Sequence, residues 1–361
     1  MIHKKYAIIL GTRPEIIKLY SLIKTFQNNR EDFIIIHTNQ HYSEDMDRIF
    51  FNELDIPSPA YNLHVGSGTH GRQTGLMLER IEKVLHKERP YCVFVQGDTN
   101  TVLAGSLVAS KMQIKVAHVE AGLRSYDRQM PEEINRIMAD HVSDFLFPPT
   151  VKQKKILLSE NISKEKIHVV GNTIVDAVYL IKEIAQKKST ILNKLGLTRS
   201  NYILVTAHRQ ENVDYEDKLE NIIKGLELVC KKFNMKVIYP IHPRAMKMLK
   251  SFKIRVNESI ILIDPIGYLD MLNMLQNCRL LLTDSGGLQE ESCILNIPCI
   301  TLRENTERPE TLSVKSNMLA GTDPKRILEC AIAMDNNKKK WENPFGNGKT
   351  AEKIHSIISK A

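Results

Sequence analysis

Short apolar runs alternate with longer amphipathic stretches from one end of the chain to the other. Buried parallel strands appear as short continuous apolar runs, whereas an amphipathic helix repeats its apolar residues every three or four positions. The runs predict strands at residues 6–10, 33–37, 91–96, 115–119, 145–147, 167–169, 202–206, 236–240, 260–263, 280–283 and 299–302. The helical repeat occupies residues 16–27, 71–87, 101–111, 132–141, 172–188 and 348–360. This alternation predicts an α/β fold built on parallel sheets with crossover helices.

The alternation is interrupted once, near the middle of the chain. The helical stretch that begins at Asn172 ends in the polar run Lys187–Thr190, and the alternation resumes with the strand at 202–206. A chain of 361 residues is also longer than one small hydrophobic core usually supports. We therefore expect two successive α/β halves, joined near residues 170–195, with a cleft between them.

Composition and charge change this picture little. Hydrophobic residues make up 42% of the chain and charged residues 25%, which are ordinary globular values. The formal net charge of +8 is attributed to a lysine-rich surface, because no basic stripe is interleaved with aromatic residues. Arginines in loops after strands are better explained by a small anionic substrate than by diffuse charge. We expect no nucleic-acid partner.

The cysteines and the apolar segments exclude further classes. The six cysteines are scattered and form no Cys-x-x-Cys pair, which indicates reduced thiols and neither a zinc site nor a disulfide framework. The first residues lead into a strand without the apolar core of a signal peptide. No apolar run reaches the ~18 residues that a membrane span needs. We expect a cytoplasmic protein that holds no metal and contacts no membrane.

Polar clusters follow the strands at their carboxyl ends. In open α/β sheets, ligands bind at this edge. The clusters are Gly11–Glu15, Gln96–Asn100, Glu120–Gly122, His208–Asn212, His242–Pro243 and Thr283–Glu291. So many clusters at equivalent positions predict one ligand site between the two halves.

The run Thr283–Glu291 is the most informative cluster. Its glycines, Gly286 and Gly287, let backbone N–H groups approach an anion, and the start of a helix favours negative charge. Glu291, about one turn further on, is positioned to accept hydrogen bonds from sugar hydroxyls. A phosphate at the glycines and a sugar at the glutamate together indicate a nucleotide.

The turn after the first strand carries a second phosphate signal. Gly11–Pro14 lacks the Gly-x-Gly-x-x-Gly spacing, so a nicotinamide dinucleotide is disfavoured. Arg13 is suited to binding a diphosphate, and Lys18 lies about one helical turn further along the same side. The alternative is a purely structural glycine turn.

Carboxylates follow the later strands of the first half. Asp98 is either a helix N-cap or a functional acid. Glu120 ends a buried strand and precedes no good helix start, which favours a functional role. Glu132 and Arg136 stand four residues apart on one helix face, so Arg136 is expected to orient Glu132. Glu133 is expected to point elsewhere and to stabilise the helix dipole.

The second half contributes histidines and a charged loop. His208 follows a strand beside an arginine and a glutamate, which suits an acid/base group, and a structural or solvated histidine is the alternative. His242 has the same position after the next strand. Arg308 lies in a dense charged loop and either contacts a phosphate or stays at the surface.

Together these residues form a series of blocks. The blocks are Gly11–Glu15, Gly97–Thr99, His118–Arg124, Pro131–Arg136, Gly171–Thr173, His208–Asn212, Thr283–Gly287 and Thr306–Glu310. In this order they resemble the non-hydrolysing UDP-N-acetylglucosamine 2-epimerase family over nearly the whole chain.

The resemblance implies a glycosyltransferase-B-like architecture of two Rossmann-like domains with a central cleft. Residues 1–170 would form the N-terminal domain and residues 171–345 the UDP-binding C-terminal domain, with a helix at about 346–361 packing back on the first. It also implies a homodimer without a cofactor that interconverts UDP-N-acetylglucosamine and UDP-N-acetylmannosamine and supplies surface polysaccharide synthesis. The family mechanism is anti-elimination of UDP to a 2-acetamidoglucal, followed by re-addition of UDP with protonation on the opposite face.

The resemblance further implies a role for each matching residue. The catalytic set is Asp98, Glu120, Glu132, His208, Lys18 and Arg136. The UDP-sugar would be bound by Arg13, His242, Ser285, Gly286, Gly287, Glu291 and Arg308. Many members are activated by their own substrate, and the matching positions are Gln40, Arg72, Gln73 and Arg209. Two sugar faces require two proton-handling groups, which fits several carboxylates and a histidine in one pocket.

Three other functions use the same fold. A hydrolysing relative would release N-acetylmannosamine and UDP, a sugar transferase would pass the sugar to an acceptor, and a sensor would bind without turnover. The block His208–Asn212 follows the non-hydrolysing pattern. A transferase needs no carboxylates on both sugar faces, and a sensor needs no acid/base groups. We therefore favour the epimerase, with other UDP-2-acetamido sugars as alternative substrates.

Overall fold

Two parallel sheets of six strands organise the chain. The structure is a computed structural model that describes residues 4–40, 50–336 and 341–361. The first sheet contains β1 Lys5–Leu10, β2 Asp32–His37, β3 Tyr61–Asn62, β4 Cys92–Gln96, β5 Lys115–Val119 and β6 Phe145–Phe147. The second contains β7 Tyr202–Thr206, β8 Lys236–Pro240, β9 Ile260–Ile263, β10 Leu281–Thr283, β11 Cys299–Thr301 and β12 Asn317–Leu319. Neighbouring strands pair in parallel, so the predicted α/β fold with two parallel sheets is confirmed.

Helices cross over between the strands. The first half has α1 Arg13–Asn28, α2 His70–Glu88, α3 Asn100–Lys111, α4 Pro131–Val142, α5 Val151–Ser159 and α6 Thr173–Lys188. The second half has α7 Ile191–Lys194, α8 Gln210–Val213, α9 Glu216–Phe233, α10 Pro243–Ser251, α11 Tyr268–Asn277, α12 Gly286–Ile294, α13 Pro309–Ser313 and α14 Pro324–Asn336. The chain ends in α15 Thr350–Lys360. None of the helices described here has the length and apolar character needed to cross a membrane.

The same strand order occurs in both sheets. It is β3-β2-β1-β4-β5-β6 in the first sheet and the equivalent β9-β8-β7-β10-β11-β12 in the second. In this doubly wound order the winding reverses between the first and fourth strands, and ligands bind beside that switch point at the carboxyl ends. The loops after β1 and β4, and those after β7 and β10, are therefore the expected binding places.

Short edge segments differ from the sequence expectation. The apolar run at 167–169 forms a single bridge, between Ile167 and Leu146, and not a strand. The pattern also does not predict β3 or β12. Each of these two segments contains a polar asparagine and too few apolar residues to form a recognisable run, unlike the three-residue edge strand β6.

The chain divides into two compact units, each with its own core. Unit 1 comprises the residues up to Leu180 and those from Phe345 onward, and unit 2 comprises Ile181–Pro344. In unit 1, α2 turns Met77, Ile81 and Leu85 toward the core, and all three are fully buried. Their spacing of four residues places them on one helix face.

The last helix, α15, packs within unit 1. Ile354 and Ile358, about one turn apart, are fully buried. His355 Nε2 lies 2.6 Å from Glu31 Oε1, and the His355 ring lies 6.0 Å from the ring of Phe26 on α1. The end of the chain is thus part of the same unit as its beginning.

Unit 2 has a separate core that includes α9 and α14. Leu219, Ile222 and Leu226 of α9 are fully buried. A Cβ at Gly225 would lie 2.7 Å from Ile327 Cδ1 of α14. The missing side chain therefore lets the two helices pack directly on each other.

Two glycines with the same backbone conformation offer a matched test of packing. Gly97 and Gly122 have φ values of +83° and +81°. A Cβ at Gly122 would lie 2.8 Å from the Gln153 carbonyl oxygen, whereas at Gly97 it would meet no described atom within 4 Å. Gly97→Ala should cost about 1 kcal/mol of unfolding free energy through backbone strain. Gly122→Ala should cost a further 1–3 kcal/mol or so through overpacking.

Thermal melts of the two variants check this expectation. The melting temperature of Gly122→Ala should fall clearly below that of Gly97→Ala. Equal melting temperatures would show that the contact with Gln153 relaxes without cost.

Candidate active site

A buried glutamate joins the two loops at the switch point of unit 1. Glu15, in the first turn of α1, is 2% exposed. Its Oε2 accepts hydrogen bonds from Gly11 N and from the hydroxyl of Thr12, both at 2.9 Å. Its Oε1 accepts one from Thr99 Oγ1 at 2.8 Å. The loop that carries Arg13 is thereby tied to the loop that carries Asp98.

Asp98 is held by side chains of α4. Arg136 contacts the Asp98 carboxylate, and Asn135 Nδ2 donates to the Asp98 carbonyl at 2.9 Å. The Asp98 side chain nevertheless remains 31% exposed. A carboxylate fixed on one side and open on the other is suited to exchange a proton with a ligand.

Arg136 pairs with Glu133, so the expected Arg136–Glu132 pair is wrong. Arg136 Nη1 lies 2.8 Å from Glu133 Oε2, and Glu133 is 1% exposed. The Glu133 carboxylate also accepts the backbone N–H groups of Ser125 at 2.8 Å and Tyr126 at 2.9 Å. Glu133 points inward because the buried face of α4 passes through position 133. Glu132 is exposed at the helix start.

Glu120 follows β5 in an unusual backbone conformation. Its φ is +68°, in the left-handed region that residues other than glycine rarely adopt. Lys18 Nζ donates to both carboxylate oxygens, at 2.8 and 2.6 Å, and Gln96 Nε2 donates to one of them. The structure therefore brings the predicted catalytic residues Lys18 and Glu120 together in an ion pair.

A cavity of about 720 Å³ opens beside these loops. Its lining includes Arg13, Gln40, Asp98 and Glu132, which come from the ends of strands and the starts of helices. A volume of this order suits a small-molecule ligand. Three residues predicted for substrate binding or catalysis thus face one cavity of unit 1.

Two residues predicted for the activator region support the wall of this cavity. Gln73 Nε2 donates to the carbonyls of Gln40 at 3.0 Å and Gly66 at 2.8 Å, and its Oε1 accepts from Asn100 Nδ2 at 2.8 Å. The Gln73 amide therefore holds neighbouring loops together. Arg72, one residue earlier on α2, is exposed.

In unit 2 the start of α12 presents open backbone N–H groups. Ser285 is the N-cap, and Gly286 and Gly287 are the first helical residues. A Cβ at Gly286 would meet Glu307 Oε2 at 3.8 Å, and one at Gly287 would meet Ser285 Oγ at 4.0 Å. Protein packing therefore does not explain the two glycines. Their missing side chains keep the N–H groups accessible to an anion.

Asp284, which sequence reasoning did not single out, orients His208. His208 Nδ1 lies 3.1 Å from Asp284 Oδ1. Asp284 Oδ2 accepts the backbone N–H groups of His208 and Arg209, both at 2.9 Å. Burial raises the pKa of Asp284, but these hydrogen bonds outweigh it and hold the pKa below its usual range. Asp284 therefore lies against the ring and the backbone of His208, and its place directly after β10 is the signal that could have identified it.

His242 lies beside His208. The two ring centroids are 6.2 Å apart. His242 Nδ1 accepts a hydrogen bond from Arg244 N at 3.1 Å and so caps α10. Burial, together with the charges of His208 and Arg244, lowers the pKa of His242, which favours a neutral ring.

Two adjacent glutamates one turn into α12 involve residues predicted for nucleotide binding, Arg308 and Glu291 itself. Glu290 Oε1 lies 2.9 Å from Arg308 Nε, so the guanidinium is attached to the helix that begins at the glycines. Glu291 is 6% exposed, and its Oε1 accepts a hydrogen bond from Tyr268 Oη at 3.0 Å. Glu290 was not predicted from the sequence, since acids inside helices are common.

An ion-pair network occupies the loop after β11. Arg303 donates to Glu307 at 2.7 and 2.9 Å, and Arg209 Nη1 lies 3.6 Å from the same carboxylate. The hydrogen bonds from Arg303 lower the pKa of Glu307 to about 2. Glu307 is therefore ionised at neutral pH and binds Arg209, one of the residues predicted for the activator region.

Cysteines and metal ligands do not enter this arrangement. All six cysteines are free and buried, as the sequence predicts. Across residues 4–40, 50–336 and 341–361, no three His, Cys, Asp or Glu side chains converge as a metal-binding set.

Two doubly wound sheets with charged side chains at their switch points define the class of α/β proteins that bind ligands beyond the carboxyl ends of their strands. Residues 24–359 match the family model described as UDP-N-acetylglucosamine 2-epimerase. The chain belongs to this family, and the resemblance drawn from its sequence blocks is confirmed.

The relatives cover almost the entire chain. It is similar to the UDP-N-acetylglucosamine 2-epimerase of Methanocaldococcus jannaschii, with 54% identity over 98% of this chain and 99% of the relative. The crystal structure of the UDP-GlcNAc 2-epimerase from that organism, in complex with UDP-GlcNAc and UDP, matches with a TM-score of 0.86 and covers 99% of this chain and 100% of that one. The UDP-2,3-diacetamido-2,3-dideoxy-D-glucuronate 2-epimerase of Pseudomonas aeruginosa is 38% identical over 99% of both chains.

The buried Glu15 predicts a pH-dependent stability. Burial raises the pKa of Glu15 from 4.5 to about 7, despite its hydrogen bonds from Gly11, Thr99 and Thr12. The folded state therefore binds the proton more tightly than the unfolded state. This contribution to stability is fully present below pH 4.5 and is lost as the pH rises through 7.

We expect Glu15→Gln to flatten the pH dependence of the melting temperature between about pH 5 and pH 8. At about 1.4 kcal/mol per pKa unit, the contribution removed is on the order of 3 kcal/mol. Glu82→Gln, at an exposed position of α2, is the control and should keep the wild-type slope. A wild-type slope in Glu15→Gln would contradict the assignment.

Proposed function

We propose that this chain interconverts UDP-N-acetylglucosamine and UDP-N-acetylmannosamine without releasing free sugar. The observation that carries the proposal is a pair of carboxylates at the ends of neighbouring strands, each held by a cation. Asp98 follows β4 and pairs with Arg136, and Glu120 follows β5 and pairs with Lys18. Membership of the 2-epimerase family supports the same reaction.

The paired carboxylates fit an elimination and re-addition. One group removes the C2 proton while the C1–O bond to UDP breaks, which gives a 2-acetamidoglucal with a C1=C2 double bond. UDP then re-forms its bond to C1, and a proton returns to C2 on the opposite face. Each direction requires a base on one face and an acid on the other. Asp98, Glu120, Glu132 and His208 are proposed as the groups that hold these protons.

Departure of UDP places negative charge on the diphosphate. We assign its stabilisation to the start of α12, at Ser285 and the N–H groups of Gly286 and Gly287, and to Arg13, His242 and Arg308. Preorganised donors that meet developing charge are usually the largest contribution to catalysis. Glu291 is proposed to bind the hydroxyls of the uridine ribose, because its carboxylate is already fixed by Tyr268.

NMR of the enzyme with UDP-N-acetylglucosamine as its single substrate tests this function. We expect a mixture of two UDP-sugars, and in deuterated water both epimers should carry deuterium at C2. Free N-acetylmannosamine with UDP would identify a hydrolase. Epimers that retain protium at C2 would rule out elimination with solvent exchange. No reaction would favour a transferase or a sensor.

The same experiment with UDP-2,3-diacetamido-2,3-dideoxy-D-glucuronate tests the substrate for which the Pseudomonas aeruginosa relative is named. We expect a lower kcat/KM for this sugar than for UDP-N-acetylglucosamine. The higher identity to a relative named for the latter substrate supports this order.

Glu120→Gln should lower kcat by at least about 100-fold, because general acid–base groups contribute about that much or more. UDP affinity should stay within about tenfold, since Glu120 is not assigned to the diphosphate. The matched control is again Glu82→Gln, which should leave both quantities unchanged. Wild-type turnover in Glu120→Gln would contradict its assignment as a proton-handling group.

Several further proposals rest on the family resemblance. They are a cytoplasmic homodimer, a supply of surface polysaccharide synthesis, and activation by substrate through Gln40, Arg72, Gln73 and Arg209. For the activator region there is additional support, because Gln40 and Gln73 line the same cavity as Arg13 and Asp98.

A further inference from the structure

His118 is a buried histidine without a role in the chemistry above. It lies on β5, two residues before Glu120, and is fully buried. Its Nδ1 lies 2.7 Å from Asp140 Oδ1 and its Nε2 lies 2.8 Å from the Gly97 carbonyl oxygen. Both partners are acceptors when Asp140 is ionised, and a neutral imidazole has one N–H to donate.

The Asp140 carboxylate accepts hydrogen bonds from two groups besides His118. Arg124 Nη1 lies 2.7 Å from Asp140 Oδ2, and neither side chain is exposed to solvent. Gly122 N donates to the same carboxylate at 3.1 Å. A proton on Asp140 would weaken both of these contacts. Both nitrogens of His118 therefore carry protons, and the ring is an imidazolium.

The charged groups around this ring compensate one another. The positive charges of His118 and Arg124 face the negative charges of Asp140 on α4 and Glu160 after α5. Asp98 is a further negative charge in its field. Burial lowers the pKa of His118, but Asp140 and the other acceptors outweigh it and raise the pKa above its usual value.

The Nε2–H bond of His118 fixes the peptide that leads into Asp98. Gly97 has a φ of +83° and donates its N–H to the Val119 carbonyl at 3.1 Å. Its own carbonyl accepts from His118. Two successive residues of β5 therefore hold Gly97 from its N–H and from its C=O. These two bonds hold the Asp98 backbone from its N-terminal side, and Asn135 holds the Asp98 carbonyl from the other side.

We propose that His118 is a positioning residue that, as a buried imidazolium, locks the Gly97–Asp98 peptide so that the Asp98 carboxylate is aligned for proton transfer. The proposal rests on the proposed epimerase function, in which Asp98 holds a reacting proton. Because a misplacement of about 1 Å can cost about 100-fold in rate, loss of this one bond should be visible in kcat.

Two amide substitutions separate the two bonds of the ring. The amide nitrogen of glutamine lies near the position of Nε2, so His118→Gln retains a donor to Gly97 and loses the donor to Asp140. The amide nitrogen of asparagine lies near Nδ1, so His118→Asn retains a donor to Asp140 and loses the donor to Gly97. Both variants remove the buried positive charge, so they are matched in charge.

Steady-state kinetics of the two variants tests the proposal. We expect His118→Asn to lower kcat by about 10- to 100-fold with KM within about threefold, and His118→Gln to keep kcat within about threefold. Melting temperatures should fall in both. A merely structural histidine would lower activity in both variants in step with stability, and that result would overturn the proposal, as would wild-type kcat in His118→Asn.

A second measurement needs neither a stable variant nor an active enzyme. In a nitrogen-15 NMR titration, the wild-type protein should show one buried histidine ring that keeps protons on both nitrogens to a pH above the usual histidine pKa of about 6.5. A neutral His118 ring would overturn the proposal. If the wild-type protein does not turn over UDP-N-acetylglucosamine, the proposed function is refuted. The protonation state of the His118 ring is still decided by this spectrum.

Discussion

Buried carboxylates that accept backbone N–H groups hold the loops of this protein in place. Glu15 binds the loop after β1, Asp140 and Glu133 bind the segment that follows β5, and Asp284 binds the loop after β7. Loops at the ends of parallel strands lack ladder partners, and a buried charge needs hydrogen bonds to offset its desolvation. Each carboxylate supplies such N–H groups with an acceptor, and at Glu133 and Asp284 the hydrogen bonds also outweigh the effect of burial on the pKa. The loops are thereby held at fixed positions.

The fold was largely predictable because parallel strands in a two-sided sheet are short, apolar and bounded by polar turns. The strands β5 and β7 match the apolar runs residue for residue. The edge strands β3 and β12 were not predictable, since their pairing depends on a neighbouring strand more than on their own residues. The bridge at Ile167 shows the reverse case, in which an apolar run packs without continuing a ladder.

The positions of the proposed site residues were predictable where they follow a strand directly, as for Asp98 and Glu120. Helical spacing alone misassigned the partner of Arg136, because the positions 132 and 133 differ in burial and not in residue type. Asp284 and Glu290 act through other residues, and a single sequence carries no sign of such indirect contacts. Their identification required the distances to His208 and Arg308.

The left-handed backbone at Glu120 carries a cost in folding free energy. Glycine would adopt a φ of +68° without a steric penalty, whereas a residue with a Cβ gives up about 1–2 kcal/mol there. Selection for stability alone would favour glycine or asparagine at this point of the chain. The contacts of the Glu120 side chain with Lys18 and Gln96 are therefore made at a cost in backbone conformation, and glycine at position 120 would relieve that strain while losing both contacts.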